Sequence, residues 1–310
     1  MTPAVSVVVP THNRPDGLAT VLAALGRQTL PHDRFEVIVA DDGSDPPARP
    51  AAEDVALRVV RHERPRGPAA ARNSGWRAAS APLVAFVDDD CEPTDGWLAA
   101  LVEAATDAGE AVVIQGPVQP PPNQLAELTP LSHTIVVDGP DRLFATCNIA
   151  YSRPLLERLG GFDETFRRSA EDVDMGARAR AAGARALWAA GALVHHEVRR
   201  LGLRDLIRHT TKWTDSVRAV GAHPELRELL VARVFWKPTH PRLLLALAGL
   251  ATRRPLLAAL AALPYLDHYR RLYAHDPSAG ARALPTHLAV DLTEIGTAVA
   301  GSIEHRTLML

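Results

Sequence analysis

Three consecutive carboxylates, Asp88, Asp89 and Asp90, directly follow the apolar run at residues 82–87. A buried strand with this ending delivers stacked negative charge to one edge of a sheet. Neighbouring carboxylates repel one another unless a hard divalent cation such as Mg²⁺ or Mn²⁺ lies between them and a substrate phosphate. The pattern therefore predicts a metal and phosphate site, and the alternative is a solvated acidic turn.

Two further groups of residues could act with these carboxylates. Glu171, Asp172 and Asp174 stand at a predicted helix start that we place at Ser169, where the helix dipole favours negative charge. The alternative is that they only cap the helix. The pair at residues 195–196 is His-His and follows an apolar strand, so alternation along that strand lets only one imidazole face inward. A single histidine is usually a surface or core residue.

Alternating strands and helices must position these groups. The first hundred residues predict the order strand, helix, strand, strand, helix, strand, with the predicted strands at residues 6–10, 35–40, 57–60 and 82–87. Such alternation indicates parallel pairing, with ligands bound beyond the carboxyl ends of the strands. The segments at residues 10–13, 41–45 and 88–90 all fall at that edge.

Six motifs in order give the chain a resemblance to a known family. They read Val-Ser-Val-Val-Val-Pro-Thr-His-Asn-Arg, Asp-Asp-Gly-Ser, Gly-Pro-Ala-Ala-Ala-Arg-Asn-Ser-Gly, Asp-Asp-Asp, Gly-Gly-Phe-Asp-Glu and Glu-Asp-Val-Asp-Met. The series, over residues 4 to about 196, resembles a family 2 nucleotide-sugar glycosyltransferase. The resemblance implies the GT-A fold, a Rossmann-like, mostly parallel sheet flanked by helices. It also implies inverting transfer from a nucleoside diphosphate sugar, with Mn²⁺ or Mg²⁺ as cofactor.

The resemblance also assigns roles to residues. Nucleotide and donor binding fall to Pro10, Thr11, Asn13, Arg14, Asp42, Gly67, Arg72, Asp88 and Asp89. Asp42 is the candidate for reading the base, because a carboxylate there can accept the uracil N–H. Arg72 would approach uracil or the phosphates. The alternatives are a helix cap for Asn13, a solvated surface position for Arg72 and a spare strand-end carboxylate for Asp88.

The catalytic assignments follow from the same motifs. Asp172 is the expected general base, and Glu171 would position the acceptor or sugar while raising the pKa of its neighbour. Asp90 aligns with the metal-binding aspartate of the family, and His195 or His196, with His196 preferred, would complete the metal site. The acceptor and sugar side is expected near Asn148, on a predicted strand at residues 146–151, and near Gly161, beyond a short predicted helix closed by glycine.

Composition divides the chain into two regions. Residues 1–196 hold 18 Lys+Arg and 26 Asp+Glu, a net charge of −8, whereas residues 197–310 hold 16 and 10, a net charge of +6. We expect a nucleotide-sugar-binding and catalytic domain at residues 1–198 and a helical C-terminal region at residues 199–310. The proline-rich stretch at residues 115–123 is expected to be a surface crossing. With only two cysteines, Cys91 and Cys147, and no apparent secretion signal, we expect a cytoplasmic protein.

The C-terminal region is predicted to be helical and partly apolar. Apolar runs at residues 243–250 and 256–266 are too short to cross a bilayer. They could form core helices, dock peripherally on the inner face of a membrane or form a homodimer surface. A further amphipathic helix is predicted at residues 284–303.

Two other functions compete with glycosyl transfer. A nucleotidyltransferase would normally carry a glycine-rich phosphate loop after the first strand, and residues 10–14 offer no such cluster. An inactive sugar-nucleotide or carbohydrate-binding module would not need the carboxylates at 90 and 172. Nucleic-acid binding has little support, because basic residues are not interleaved with aromatic ones. The donor sugar and the acceptor, whether glycan, lipid-linked sugar or natural product, are left open.

Overall fold

The computed structural model of the chain describes residues 2–50 and 55–310. The chain forms two compact units. One comprises Met1–Leu128 with Ser132–Arg199, and the other comprises Thr129–Leu131 with Arg200–Leu310. Each unit has a hydrophobic core of its own.

The strands lie in the first two-thirds of the chain. They are β1 (Val5–Thr11), β2 (Phe35–Asp41), β3 (Ala56–Arg61), β4 (Leu83–Phe86), β5 (Cys91–Pro93), β6 (Val112–Gln115), β7 (Val118–Gln119), β8 (Ser132–His133), β9 (Ile149–Ser152), β10 (Arg185–Trp188), β11 (Val194–His196) and β12 (Arg199–Arg200).

The helices alternate with these strands and then continue without them. They are α1 (Pro15–Gly26), α2 (Pro68–Ala78), α3 (Trp97–Ala105), α4 (Arg153–Leu159), α5 (Glu171–Ala181), α6 (Leu203–Thr210), α7 (Thr214–Ala222), α8 (Thr239–Ala251), α9 (Pro255–Leu272) and α10 (Pro277–Glu304).

The main sheet is mostly parallel, with the strand order β10-β6-β9-β4-β1-β2-β3 in the described residues. Strands β1, β2, β3 and β4 run parallel, and only β9 pairs antiparallel, with β4 and β6. A small sheet of order β5-β11-β7 lies beside it. The architecture confirms the predicted GT-A class with a helical C-terminal region.

The β-branched run of β1 is explained by burial on both faces. Val5, Val7 and Val9 join the core that also contains α1 and α3 side chains, whereas Val8 joins the core formed with α2, α4 and α5. A central parallel strand covered by helices on both sides is a near-continuous apolar run, and the one buried serine of β1, Ser6, donates a hydrogen bond to Glu36. This sandwich fixes the carboxyl end of β1 beside those of β2 and β4.

Three local predictions need correction. The stretch at residues 115–123 is not only a surface crossing, because Val118 is buried in β7, an edge strand of the small sheet. The predicted strand at 146–151 begins with a 3₁₀ turn, Thr146–Asn148, before β9. Helix α5 is preceded not by a Ser169 cap but by Ala170, whose φ of 68° lies in the left-handed region.

The C-terminal unit is a helical assembly. Its apolar core includes Leu243, Tyr265, Tyr269 and Ile295. Helix α10 spans the predicted amphipathic segment. Within the part of the chain that the structure describes, no helix combines the length and the apolarity needed to cross a membrane.

Candidate active site at the carboxyl edge of the sheet

The ends of β1 and β4 are tied together by side-chain contacts. The Thr11 hydroxyl donates to Asp89 at 2.7 Å, and the Arg14 guanidinium lies 3.1 Å from the other Asp89 oxygen. Arg14 also donates to Glu197 at 2.9 Å. Burial, the largest cause, raises the pKa of Asp89 to about 7, although Thr11 and Arg14 favour its ionised form. Asp89 is therefore held by the protein and is poised to lose its proton near neutral pH.

Asp42, the expected base-reading residue, is already engaged within the protein. One of its oxygens accepts from His62 at 2.7 Å and from the Arg66 backbone N–H at 2.9 Å. The other accepts from the Gly67 backbone N–H at 2.8 Å. A carboxylate has about four acceptor positions, so about one remains for a ligand. Asp42 fixes the loop that precedes α2, and this is a clear role for it.

Asn13 is not the cap of α1, which begins after Arg14. Its backbone is left-handed, with φ of 55°, and its amide oxygen accepts from the Asp45 backbone N–H at 2.8 Å. Thr11, Asn13 and Arg14 line a cavity of about 920 Å³, whereas Pro10 is half-buried in β1. The first loop and the loop after β2 are thus braced against each other.

Asp90 faces His196 at the junction of β4 with the small sheet. Strands β5 and β11 pair so that Cys91 lies opposite His196, which places Nε2 of His196 3.6 Å from Asp90 Oδ1. The other ring nitrogen, Nδ1, lies 3.0 Å from the Glu197 carbonyl oxygen. The Glu197 carbonyl only accepts, so the tautomer that donates from Nδ1 satisfies this contact. In that neutral tautomer the lone pair of Nε2 points toward Asp90.

These groups fit a divalent cation. Ligand atoms of Asp90, Cys91 and His196 all lie within 4.8 Å of one another. A histidine whose second nitrogen donates to a backbone carbonyl is typical of metal ligands. Burial raises the pKa of the Cys91 thiol, so the thiol stays protonated and is a weaker metal ligand than Asp90 or His196. Carboxylate and imidazole together suit Mn²⁺ or a similar ion.

Of the two adjacent histidines, His195 lies on the opposite side of β11. It lines a cavity of about 440 Å³ together with Asn13, Arg14, Asp89 and Asp90. Its Nδ1 atom is buried without a hydrogen-bond partner in the described residues. The geometry therefore directs His196 to Asp90 and leaves His195 facing the cavity.

Arg72 joins the two carboxylate motifs. Its guanidinium lies 2.6 Å from Asp88 and 2.6 Å from Glu171, and its side chain is only 5% exposed. Burial alone would lower the pKa of Arg72, but Asp88 and Glu171 outweigh burial and raise it. Arg72 is thus a buried cation rather than a solvated surface arginine, and Asp88 is its partner rather than a spare carboxylate.

Asp172 stands next to this ion-pair cluster, in the first turn of α5. It is half-buried and accepts from the Val173 backbone N–H at 2.8 Å. Burial, followed by repulsion from Glu171, raises the pKa of Asp172 to about 7, while Arg72 acts in the opposite direction. A carboxylate with such a pKa can accept a proton near neutral pH, as a general base must.

The two residues expected on the acceptor and sugar side occupy packing positions instead. Asn148 is 2% exposed. Its amide oxygen accepts from Trp97, and its amide nitrogen donates to the carbonyl oxygens of Pro117 and Ala192, all at 2.7–2.8 Å. Gly161 has φ of 78°, and a Cβ there would lie 2.4 Å from an atom of Asn73. Burial and saturated hydrogen bonding explain why neither is placed to contact a sugar.

Gly67 and three residues that the sequence patterns did not indicate complete the site. Gly67 has φ of 98° and precedes α2, and its N–H contacts Asp42. His62 bridges Asp42 and Ser74 at 2.7 Å each. The Tyr151 hydroxyl is buried without a hydrogen-bond partner in the described chain, and the charges of Asp172 and Arg72 act on it. No spacing rule links His62, Tyr151 or Glu197 to the site, since their contacts cross between distant segments.

A second group of metal-type residues lies in the C-terminal unit. His240, Asp291 and Glu294 are buried, with ligand atoms within 4.8 Å of one another. The Lys237 ammonium lies 2.7 Å from Glu294 and 3.6 Å from Asp291. Tyr269 donates to Asp291 at 2.7 Å. Because the ammonium supplies the positive charge, the group forms a buried ion-pair network.

Comparison with known families agrees with this geometry. The family model described as "Glycosyl transferase family 2" matches residues 6–155, and the model described as "Glycosyl transferase family group 2" matches residues 83–270. The second match covers more than half of the chain. The protein therefore belongs to family 2 of the glycosyl transferases, as the motifs predicted.

Two characterised relatives illustrate the family. The chain is 32% identical over 244 residues to the pre-mycofactocin glycosyltransferase of Mycobacterium tuberculosis, a match covering 73% of this chain and 50% of the relative. It is 31% identical over 220 residues to the validoxylamine A glucosyltransferase of Streptomyces hygroscopicus subsp. limoneus, covering 58% and 49%. The chain thus spans about half the length of these relatives.

Solved structures share the fold. The mannosyltransferase PcManGT from Pyrobaculum calidifontis, in complex with GDP-Man and Mn²⁺, aligns with a TM-score of 0.57 at 22% identity and covers 99% of this chain and 88% of that one. S. aureus TarS 1-349, in complex with UDP, aligns with a TM-score of 0.52 at 20% identity and covers 88% and 90%. At these identities the likeness establishes the fold alone.

Proposed function

We propose that this protein transfers a sugar from a nucleoside diphosphate sugar, a UDP-sugar in the first instance, to an acceptor hydroxyl with inversion at the anomeric carbon. Residues 1–198 would form the catalytic domain. The observation that carries the proposal is the Arg72 bridge, which holds Asp88 of the strand-end motif and Glu171 of the α5 motif at 2.6 Å each. The strand-end motif expected to bind the donor and the α5 motif expected to supply the base thus lie in one ion-pair cluster.

The donor side is built around Asp90 and His196. Asp90 and His196 would hold a divalent cation, Mn²⁺ or Mg²⁺, which when bound supplies positive charge against the diphosphate leaving group. Arg14 lines the adjacent cavity of about 440 Å³ and offers a cation for phosphate. Structural neighbours crystallised with UDP or with GDP-Man and Mn²⁺ support this class of donor.

The base side is built around Asp172. In an inverting reaction the acceptor hydroxyl attacks from the face opposite the leaving group, and one base takes its proton. The pKa of Asp172 near 7 lets the ionised carboxylate accept that proton at neutral pH. Arg72 fixes Glu171 beside Asp172. Repulsion from Glu171 then helps to raise the pKa of Asp172.

Substitution of Asp172 by Asn tests the base assignment. Asn keeps the size of the side chain but cannot accept the proton, so we expect donor affinity within about twofold of the parent and a loss of transfer of at least about 100-fold. Donor binding is measured by calorimetry with UDP- and GDP-sugars and Mn²⁺. Transfer is measured as release of nucleoside diphosphate with a panel of acceptor alcohols. Near-parental release by the Asn variant would reject Asp172 as the base.

A further inference from the structure

Helices α8 and α9 form a hairpin with an exposed end. We define the hairpin tip as residues 250–257, the segment from the last turn of α8 to the first turn of α9. Every side chain of the hairpin tip is exposed. An exposed turn is ordinary, but this one is largely apolar and contains Leu250, Leu256 and Leu257. That composition is costly in water.

The exposed apolar surface continues along α9. Leu256, Leu260 and Leu263 are 79%, 68% and 61% exposed. Their spacing of four and three residues places them on one side of the helix. The opposite side carries Ala258, Ala261 and Tyr265, which are buried. Helix α9 therefore packs alanine and tyrosine side chains against the rest of the unit and leaves these leucines exposed, whereas an amphipathic helix usually buries its leucines.

Small residues explain why the leucines are left outside. At Gly249 of α8, a Cβ would lie 2.5 Å from the backbone nitrogen of Ala258 in α9, so the two backbones approach closely. Larger residues are excluded from this seam. Near its tip the hairpin is thus closed by Gly249 and Ala258, and the exposed leucines of α9 are available to contact another apolar phase.

The charges of the hairpin select the kind of partner. Residues 239–266 contain three arginines and neither Asp nor Glu. Arg253 and Arg254 lie in the hairpin tip, and among the described residues neither has a carboxylate within ion-pair distance. A symmetric contact between two copies through this tip would bring four guanidinium groups together without a carboxylate. An anionic lipid surface supplies the missing negative charge.

We propose that the hairpin tip docks into the interface of an anionic bilayer, with Leu256 and Leu260 entering the acyl boundary and with Arg253 and Arg254 at the lipid phosphates. The hairpin does not span the bilayer, in keeping with its length. The apolar side chains supply affinity and the arginines supply selectivity for negative headgroups. This docking rests on the hairpin alone and does not depend on the transfer reaction.

Vesicle binding of the full chain tests the proposal. We expect the protein to sediment with vesicles of equal parts phosphatidylglycerol and phosphatidylcholine and not with phosphatidylcholine alone. An arginine near such a surface contributes about fivefold in partitioning, so Arg253→Gln with Arg254→Gln should lower it about 25-fold. The control is Arg270→Gln with Arg271→Gln, which removes the same charge from exposed arginines that pair with Asp267. An equal loss in both variants would overturn local docking.

The leucines are tested with a matched pair. Leu256→Ser with Leu260→Ser should lower partitioning at least about tenfold, from lost apolar transfer. Leu125→Ser with Leu308→Ser, at side chains that are 53% and 57% exposed, should leave it unchanged. All four positions are exposed, so folding is preserved, which circular dichroism checks.

A probe reports insertion directly. Cys91 and Cys147 are buried, so an environment-sensitive dye on Leu256→Cys labels the hairpin selectively. A blue shift of its emission with the anionic vesicles is expected. Absence of vesicle binding by the parent protein would reject the proposal, as would a dimer in sedimentation velocity that the serine pair at 256 and 260 dissolves.

Discussion

The Arg72 bridge offers the sharpest test of how the site is held together. Replacing Arg72 by Leu keeps an apolar stem of similar width but removes the guanidinium. Glu171 and Asp88, whose side chains are 7% and 25% exposed, would then both lose their cationic partner. Removing one member of a buried ion pair lowers the free energy of unfolding by about 3–5 kcal/mol, because the remaining charge is buried without a counter-charge.

The geometry places the expected loss at the lower end of that range. Water reaches Asp88 and compensates part of its charge, so the cost arises mainly at Glu171. We expect the free energy of unfolding at pH 8 to fall by about 3 kcal/mol, a large share of the stability of a typical domain. Arg77→Leu in the same helix is the control. Arg77 is 51% exposed and lies 3.5 Å from Glu164, so its loss should cost less than about 1 kcal/mol.

The pH dependence distinguishes stranded charge from lost packing. Arg72 lowers the pKa of Asp172, so its removal raises that pKa further above the value in the unfolded chain. The folded variant then binds a proton over a pH range in which the unfolded chain does not. Stability of the variant should therefore rise as pH falls from 8 toward 5, and the deficit relative to the parent should shrink. Urea denaturation at both pH values measures this. A deficit that is equal at the two pH values, or below about 0.5 kcal/mol at pH 8, would show that Arg72 does not neutralise a buried negative charge.

Two further outcomes follow from the same geometry. The kcat/KM for donor turnover should fall as pH drops through about 7, where Asp172 becomes protonated, and Glu171→Gln should move that fall to lower pH because it removes repulsion. The pKa of Asp89 is also raised to about 7. If kcat/KM of the Asp172→Asn variant still falls through this pH, protonation of Asp89 is the cause instead. Gly17→Ala should cost about 1–3 kcal/mol, since a Cβ there would lie 2.1 Å from the Asp89 carbonyl oxygen. Gly26→Ala, with open space around it, should be neutral or stabilising in thermal denaturation.

Much of the fold could be predicted from local patterns. The apolar β-branched runs mark the central parallel strands because both sheet faces are covered, and the residues just after those runs necessarily share one edge. That reasoning placed Asp88 to Asp90 and Asp42 at the site. The motifs in order then gave the family, which the comparisons confirm.

The contacts inside the site could not be predicted in the same way. Arg72 meets Asp88 and Glu171 across separations of 16 and 99 residues, which no periodicity encodes. Asn148 was expected near the sugar because of its predicted strand, yet its hydrogen-bond partners come from three distant segments. Helix α9 was predicted as apolar, but the outward direction of its leucines depends on the Gly249 seam with α8.

Calorimetry with UDP and GDP measures whether Asp90 and His196 hold a divalent cation that receives a nucleoside diphosphate. With Mn²⁺ present we expect binding by the parent protein, and in EDTA we expect none. Asp90→Asn should weaken the Mn²⁺-dependent binding at least about tenfold, while Asp172→Asn should leave it intact. Equal affinity with Mn²⁺ and with EDTA, or an unchanged affinity in Asp90→Asn, would show that Asp90 does not hold a cation for the nucleotide.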